Sequence, residues 1–155
     1  MESSFAYENL SERELAETLD RLNQELAAGQ AQIYGRRMQQ RAAISQLKGM
    51  RGALSDLAWE LEELEHHLRD LQAQREGPID PLAEREIASI RGRRAALEER
   101  LLAHMLQVDE LAATTAAEEQ ALAIASDEWL ARETALLAER EQVVASLSRR
   151  AKAGE

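Results

Sequence analysis

Both prolines of the chain, Pro78 and Pro81, fall within the six residues EGPIDP at 76–81. Proline removes a backbone donor and clashes with the preceding helical turn, so these residues mark where a helix cannot continue. The stretch lies almost at the midpoint of the 155 residues. A chain with its only strong helix breakers at its centre can place one long helix on either side of them.

Periodicity fills both sides. On the first arm Leu15, Leu19, Leu22, Leu26, Gly29 and Ile33 recur at alternating steps of three and four. Apolar residues then resume at Ile44, Leu47, Leu54, Leu57, Leu61, Leu64, Leu68 and Leu71, with a lapse of the pattern between 33 and 44. The second arm keeps the alternation from Ile87 through Ile90, Arg94, Leu97, Leu101, His104, Val108, Leu111, Thr115, Glu118, Leu122, Ala125, Trp129, Arg132, Leu136 and Glu139 to Val143. Such spacing keeps a stripe on one side of a helix and is the mark of a coiled coil. With 3% aromatic and 31% charged residues, the composition also favours long helices over a compact mixed fold.

The ends carry matching signals. Ser11 and Glu14 have capping-box spacing, with Leu10 and Leu15 at the two hydrophobic-staple positions. Asp80 offers an N-cap before Pro81, and Gly77 suits the left-handed stop of the preceding helix. The sequence therefore predicts an all-α fold, a long antiparallel two-helix coiled-coil hairpin with a tight turn at 76–81. Residues 1–10 form a lead-in, 11–75 arm one, 81–150 arm two and 151–155 a tail. Each arm would be roughly 100 Å long at 1.5 Å per residue.

A turn centred near 78–79 places residue i opposite one near 157 − i. Charge agrees with that register. Residues 36–51 hold Arg36, Arg37, Arg41, Lys48 and Arg51 without an acid, and the opposing 106–121 hold Asp109, Glu110, Glu118 and Glu119 without a base. Glu60, Glu62, Glu63 and Glu65 oppose Arg91, Arg93 and Arg94. Opposite flanking charges select partner and orientation in coiled coils. The register predicts Trp129 against Ala27, Ala28 and Gly29. It also predicts cross-arm polar contacts of Glu118 with Gln40 and Arg36 or Arg37, and of Arg94 with Glu60 or Glu63. Gly29, Gly35, Gly49 and Gly52 are expected to loosen or bend the first arm.

The run EIASIRGRRAALEERLLAHM at 86–105 resembles the bacterial family that joins a coiled-coil hairpin to a C-terminal four-cysteine zinc ribbon. Glu86, Ile87, Ser89, Ile90, Arg91, Arg93, Leu97, Glu98, Leu101, Leu102 and Met105 carry the likeness. The GPIDP turn is shorter than that family's usual one, and no cysteine is present to build a ribbon. The resemblance implies an adaptor or regulator of other proteins, with nucleic-acid contact mainly on the ribbon.

Little in the residues points to chemistry. The absence of cysteine removes thiol catalysis and cysteine zinc sites, and fits a reducing compartment. There is no glycine-rich phosphate loop, HExxH or GxSxG motif, so an enzyme, a cofactor and a metal site are not expected. His66 and His67, each four residues after Glu62 or Glu63, lack the further ligands that zinc needs. The start MESSFAYENL has no secretory pattern and no apolar run approaches a membrane span, so a cytoplasmic protein is expected. The formal charge of −10 disfavours general nucleic-acid affinity. Local contact through Arg36, Arg37, Arg41, Arg91 and Arg93 is the alternative to a protein-binding role. The first arginines oppose acids, the second are interleaved with them, and no aromatic is placed for base stacking.

The leading expectation is a non-enzymatic coiled-coil adaptor or scaffold that binds proteins, a second hairpin included. Met50, Leu57, Trp59, Leu102 and Leu106 are its candidate surface, because Leu102 and Leu106 widen the apolar arc beyond what one seam needs, and Met50 and Trp59 lie off the first arm's best stripe.

Overall fold

A computed structural model describes residues 7–74 and 80–154, and among them two α-helices, α1 (Glu12–Ala73) and α2 (Pro81–Ala153), account for the fold. They pack antiparallel as an all-α hairpin. Most of the turn at 76–81, with Gly77, lies outside the described residues, and its second end starts α2 as expected. The Asp80 carboxylate accepts from Leu82 N–H at 3.0 Å, and Glu84 N–H donates to Asp80 O at 3.1 Å. An N-cap with proline at the first helical position therefore opens α2.

The start of α1 is a reciprocal box. Ser11 N–H donates to Glu14 Oε2 at 2.7 Å, and Glu14 N–H donates to Ser11 Oγ at 3.1 Å. The Ser11 backbone bond, then the Ser11 side-chain bond, hold the Glu14 carboxyl below its ordinary range. A depressed folded pKa contributes stability above the unfolded value and loses it as pH falls through the folded one. Wild type should thus lose its advantage over Glu14→Gln on acidification, read by thermal unfolding across a pH series. A constant difference would contradict the box. Ser11→Ala should cost about 1 kcal/mol at neutral pH.

The helices pack in two units, residues 7–40 with 118–154 and residues 41–74 with 80–117. In the first, Leu15, Leu22, Leu26, Leu136 and Val143 form the buried core, with Leu10, Leu19, Trp129 and Leu147 packed against it. Tyr7 joins them, and its phenol pKa is raised, chiefly by burial, then by the charge of Glu139, against an opposing effect of Arg21. Arg150 donates to the carbonyls of Tyr7 at 3.3 Å and Glu8 at 3.1 Å, so residues 7–10 of the lead-in are fastened to the hairpin. In the second unit Leu57, Leu64, Leu68, Ile87, Ile90 and Leu97 form the core, with Leu61, Leu71 and Leu101 beside it.

Along α1 the 3-4 frame does not lapse after Ile33. Burial continues through Arg36, Gln40, Ala43, Leu47, Met50 and Leu54, while Ile44 is 49% exposed. The apparent gap is a stretch in which polar and small side chains occupy seam positions. On α2 the frame runs as expected, and Glu118 and Arg132 are its exposed positions between Ile87 and Val143. Thr114-Thr115 do not interrupt the helix, and the Thr114 hydroxyl donates to Glu110 O at 2.9 Å.

Candidate interaction surfaces

The frame sorts every other side chain by its distance from the seam. Trp59 lies two residues from both Leu57 and Leu61, so it sits on the back of α1, 65% exposed. Leu106 stands likewise between His104 and Val108 on the back of α2, 68% exposed. Leu102 flanks the seam residue Leu101 and is 62% exposed. These three expected contact residues are open to a partner, but they do not form one patch, because the backs of two paired helices face away from each other.

The remaining two members are corrected by the structure. Leu57 is buried within the second unit's core, 8% exposed. Met50 is half-buried on the seam, not off the stripe. Both follow from the unbroken frame, in which 50 and 57 are successive positions of one heptad series. Met50 also lines a shallow groove with Gln46, Gln107, Glu110, Leu111 and Thr114.

Of the expected polar seam contacts, one layer forms. Arg36 pairs with Glu118 across the seam, Nη2 to Oε1 at 2.7 Å, with a second bond from Nε at 3.2 Å. Gln40 is buried in the same unit, and Arg37 is exposed. The Arg94 layer differs: its guanidinium pairs with Glu98 on its own helix at 3.7 Å, and exposed Glu60 and Glu63 give it no cross-arm contact. An i,i+4 partner is available without bridging two helices, which removes the need for the cross-arm pair. Other contacts respect the same register, notably Arg132 with Glu25 at 2.9 Å and His67 with Glu86 at 3.9 Å.

Both members of the Arg36–Glu118 pair keep solvent contact, so its attraction is screened. A double-mutant cycle with Arg36→Ala and Glu118→Ala should give a coupling of about 0.5 kcal/mol, falling with added salt. A coupling several times larger, insensitive to salt, would contradict that reading.

Neither histidine faces the acid one turn before it. His66 approaches Asp70 at 3.9 Å and His67 approaches Glu86 on α2. Among the described residues no group of three or more His, Cys, Asp or Glu could hold a metal ion, and no helix is long and apolar enough to cross a membrane. Arg41, Arg91 and Arg93 are exposed.

The sequence missed a further outward series. Leu130, Leu137 and Val144 are exposed at seven-residue spacing on α2, with exposed Tyr34 on α1 nearby. Tyr34 and Leu130 together line a groove of about 500 Å³ with Gln30, Ile33, Trp129 and Glu133. The signal was present as a second heptad stripe one residue past Trp129, Leu136 and Val143. Comparison of the chain with protein-family models, with curated proteins and with solved structures finds no match.

Proposed function

We propose that the hairpin is a non-enzymatic coiled-coil adaptor or scaffold that holds other proteins against its outward apolar side chains. The observation that carries this is the exposure of Trp59, Leu102 and Leu106 although the seam already has its own complete stripe. Contiguous apolar surface outside a filled core favours protein association, and Leu102 and Leu106, four residues apart on α2, are neighbours on one side of that helix. The likeness of residues 86–105 to the zinc-ribbon hairpin family points the same way, on those residues alone.

The test is recovery of proteins from native cells on tagged full-length chain, compared with Trp59→Glu and with Leu102→Glu. Both sites are external, so helicity should be retained. Proteins recovered by wild type should be lost with at least one variant. Equal recovery on all three baits would remove these side chains from the function.

A nucleic-acid-associated regulator is the second reading, favoured by Arg37, Arg41, Arg91 and Arg93, which are exposed. Phosphate contacts release counterions, so affinity must fall steeply as salt rises. Binding to a labelled duplex or single strand that shows that slope, and weakens in Arg91→Ala/Arg93→Ala, would favour it over the adaptor.

A further inference from the structure

Leu130, Leu137 and Val144 lie one heptad apart on the outer side of α2, and none belongs to the buried core of its unit. Heptad spacing keeps them on one strip along the helix. Glu133 and Arg140 border that strip, on either side of Leu137 along the chain. Among the described residues each makes only a long bond to a neutral amide. Gln30 donates to Glu133 Oε2 at 3.4 Å, and Arg140 donates to Asn23 Oδ1 at 3.4 Å. Neither meets an opposite charge among the described residues.

We propose that this strip is where a second copy of the chain packs, α2 against α2, antiparallel about a two-fold axis at Leu137. Charge selects the occupant and its direction. Around that axis Leu137 meets Leu137 of the second copy, Leu130 meets its Val144, and Ala123 meets its Ala151. The same operation brings Glu133 to within one residue of level with Arg140 of the second copy along one edge of the strip, and Arg140 likewise with its Glu133, while Glu141 lies along the other edge beside Thr134 of the second copy. A parallel pairing would instead bring Glu133 to Glu133 and Arg140 to Arg140, like charges at both places. A two-fold interface must be self-complementary, and this strip is so in one direction only.

The overlap runs from residue 121 to 153 in each copy, about 50 Å of helix at 1.5 Å per residue. A contact of that length and one helix wide approaches the size of ordinary stable interfaces, with the groove beside Tyr34 facing the Val144 end of the second copy. This self-association is independent of which other proteins the hairpin holds.

Sedimentation equilibrium of the full chain tests it. Wild type should reach twice the 17.4 kDa of one chain as concentration rises. Leu137→Glu places two carboxylates at the axis and should sediment at 17.4 kDa with unchanged helicity. Glu133→Arg and Arg140→Glu should each weaken the dimer by about tenfold or more, and the double exchange should recover it. The chain has no cysteine, so Leu137→Cys should oxidise to a covalent dimer while Ser148→Cys, far from its own mate, should not. A wild type that stays at 17.4 kDa, a dimer that survives Leu137→Glu, or equal cross-linking at 137 and 148 would each overturn the proposal.

Discussion

Leu136→Ala is expected to lower the stability of the hairpin by about 3 kcal/mol, within the range for truncating a buried leucine. Leu136 is only 1% exposed and sits among Leu15, Leu22, Leu26 and Val143. Two helices offer few neighbouring groups that could move in to refill the lost volume. The outward residue Ile124, 61% exposed, is the control. Ile124→Ala should change stability by less than about 0.5 kcal/mol, as surface substitutions do. Urea unfolding followed by helicity measures both. Similar losses for the two variants would mean that the seam frame does not govern packing in this unit.

Gly29→Ala should also destabilise, against its helix propensity. Alanine is favoured over glycine by about 1 kcal/mol inside a helix. At position 29, however, an added Cβ would overlap carbons of the Trp129 ring. The indole is half-buried against the first unit's core and fills the place where glycine has no side chain. Overpacking of this kind costs about 1–3 kcal/mol, enough to reverse the propensity gain. Trp129→Ala should cost about 2–3 kcal/mol, at or below the lower end for fully buried tryptophan, because part of the ring stays wet. The two losses should not add. Once the indole is gone, Gly29→Ala becomes neutral or favourable, and the double variant should match or exceed Trp129→Ala alone. Gly49→Ala, with open space around it, should raise stability by up to about 1 kcal/mol. A destabilising Gly49→Ala or additive losses at 29 and 129 would contradict the packing.

These expectations show what residues alone could reveal. The capping box, the Asp80-Pro81 start and the α2 frame depend on local spacing, and all three were legible. The register was legible too, since a turn centred near 78–79 already set Trp129 against Gly29 and Glu118 near Arg36. The α1 frame between 33 and 44 was not. Counting apolar residues alone reads Arg36, Gln40 and Ala43 as a gap and takes Ile44 as the resumption. Counting steps of three and four from Ile33 reaches Leu47 without a slip. That same misstep displaced Met50 from the seam, whereas Leu57 already stood on the counted stripe and entered the outward patch only through its place across from Leu102. The Arg94 layer failed for a different reason. Block charge complementarity states which segments attract, but a nearer acid on the same helix decides where one guanidinium goes.

The division of side chains between a closed seam and outward apolar positions is the premise of both proposals, the adaptor role and the pairing of two copies. The two tryptophans report on it directly, since Trp59 stands on the back of α1 and Trp129 lies against Gly29 on the seam. Acrylamide quenching of emission should be measured on dilute full-length chain in two variants, Trp129→Phe, which leaves Trp59, and Trp59→Phe, which leaves Trp129. Trp59 should emit to the red and quench readily, while Trp129 should emit to the blue and resist the quencher. Equal quenching of the two, or a protected Trp59 beside an accessible Trp129, would contradict the division.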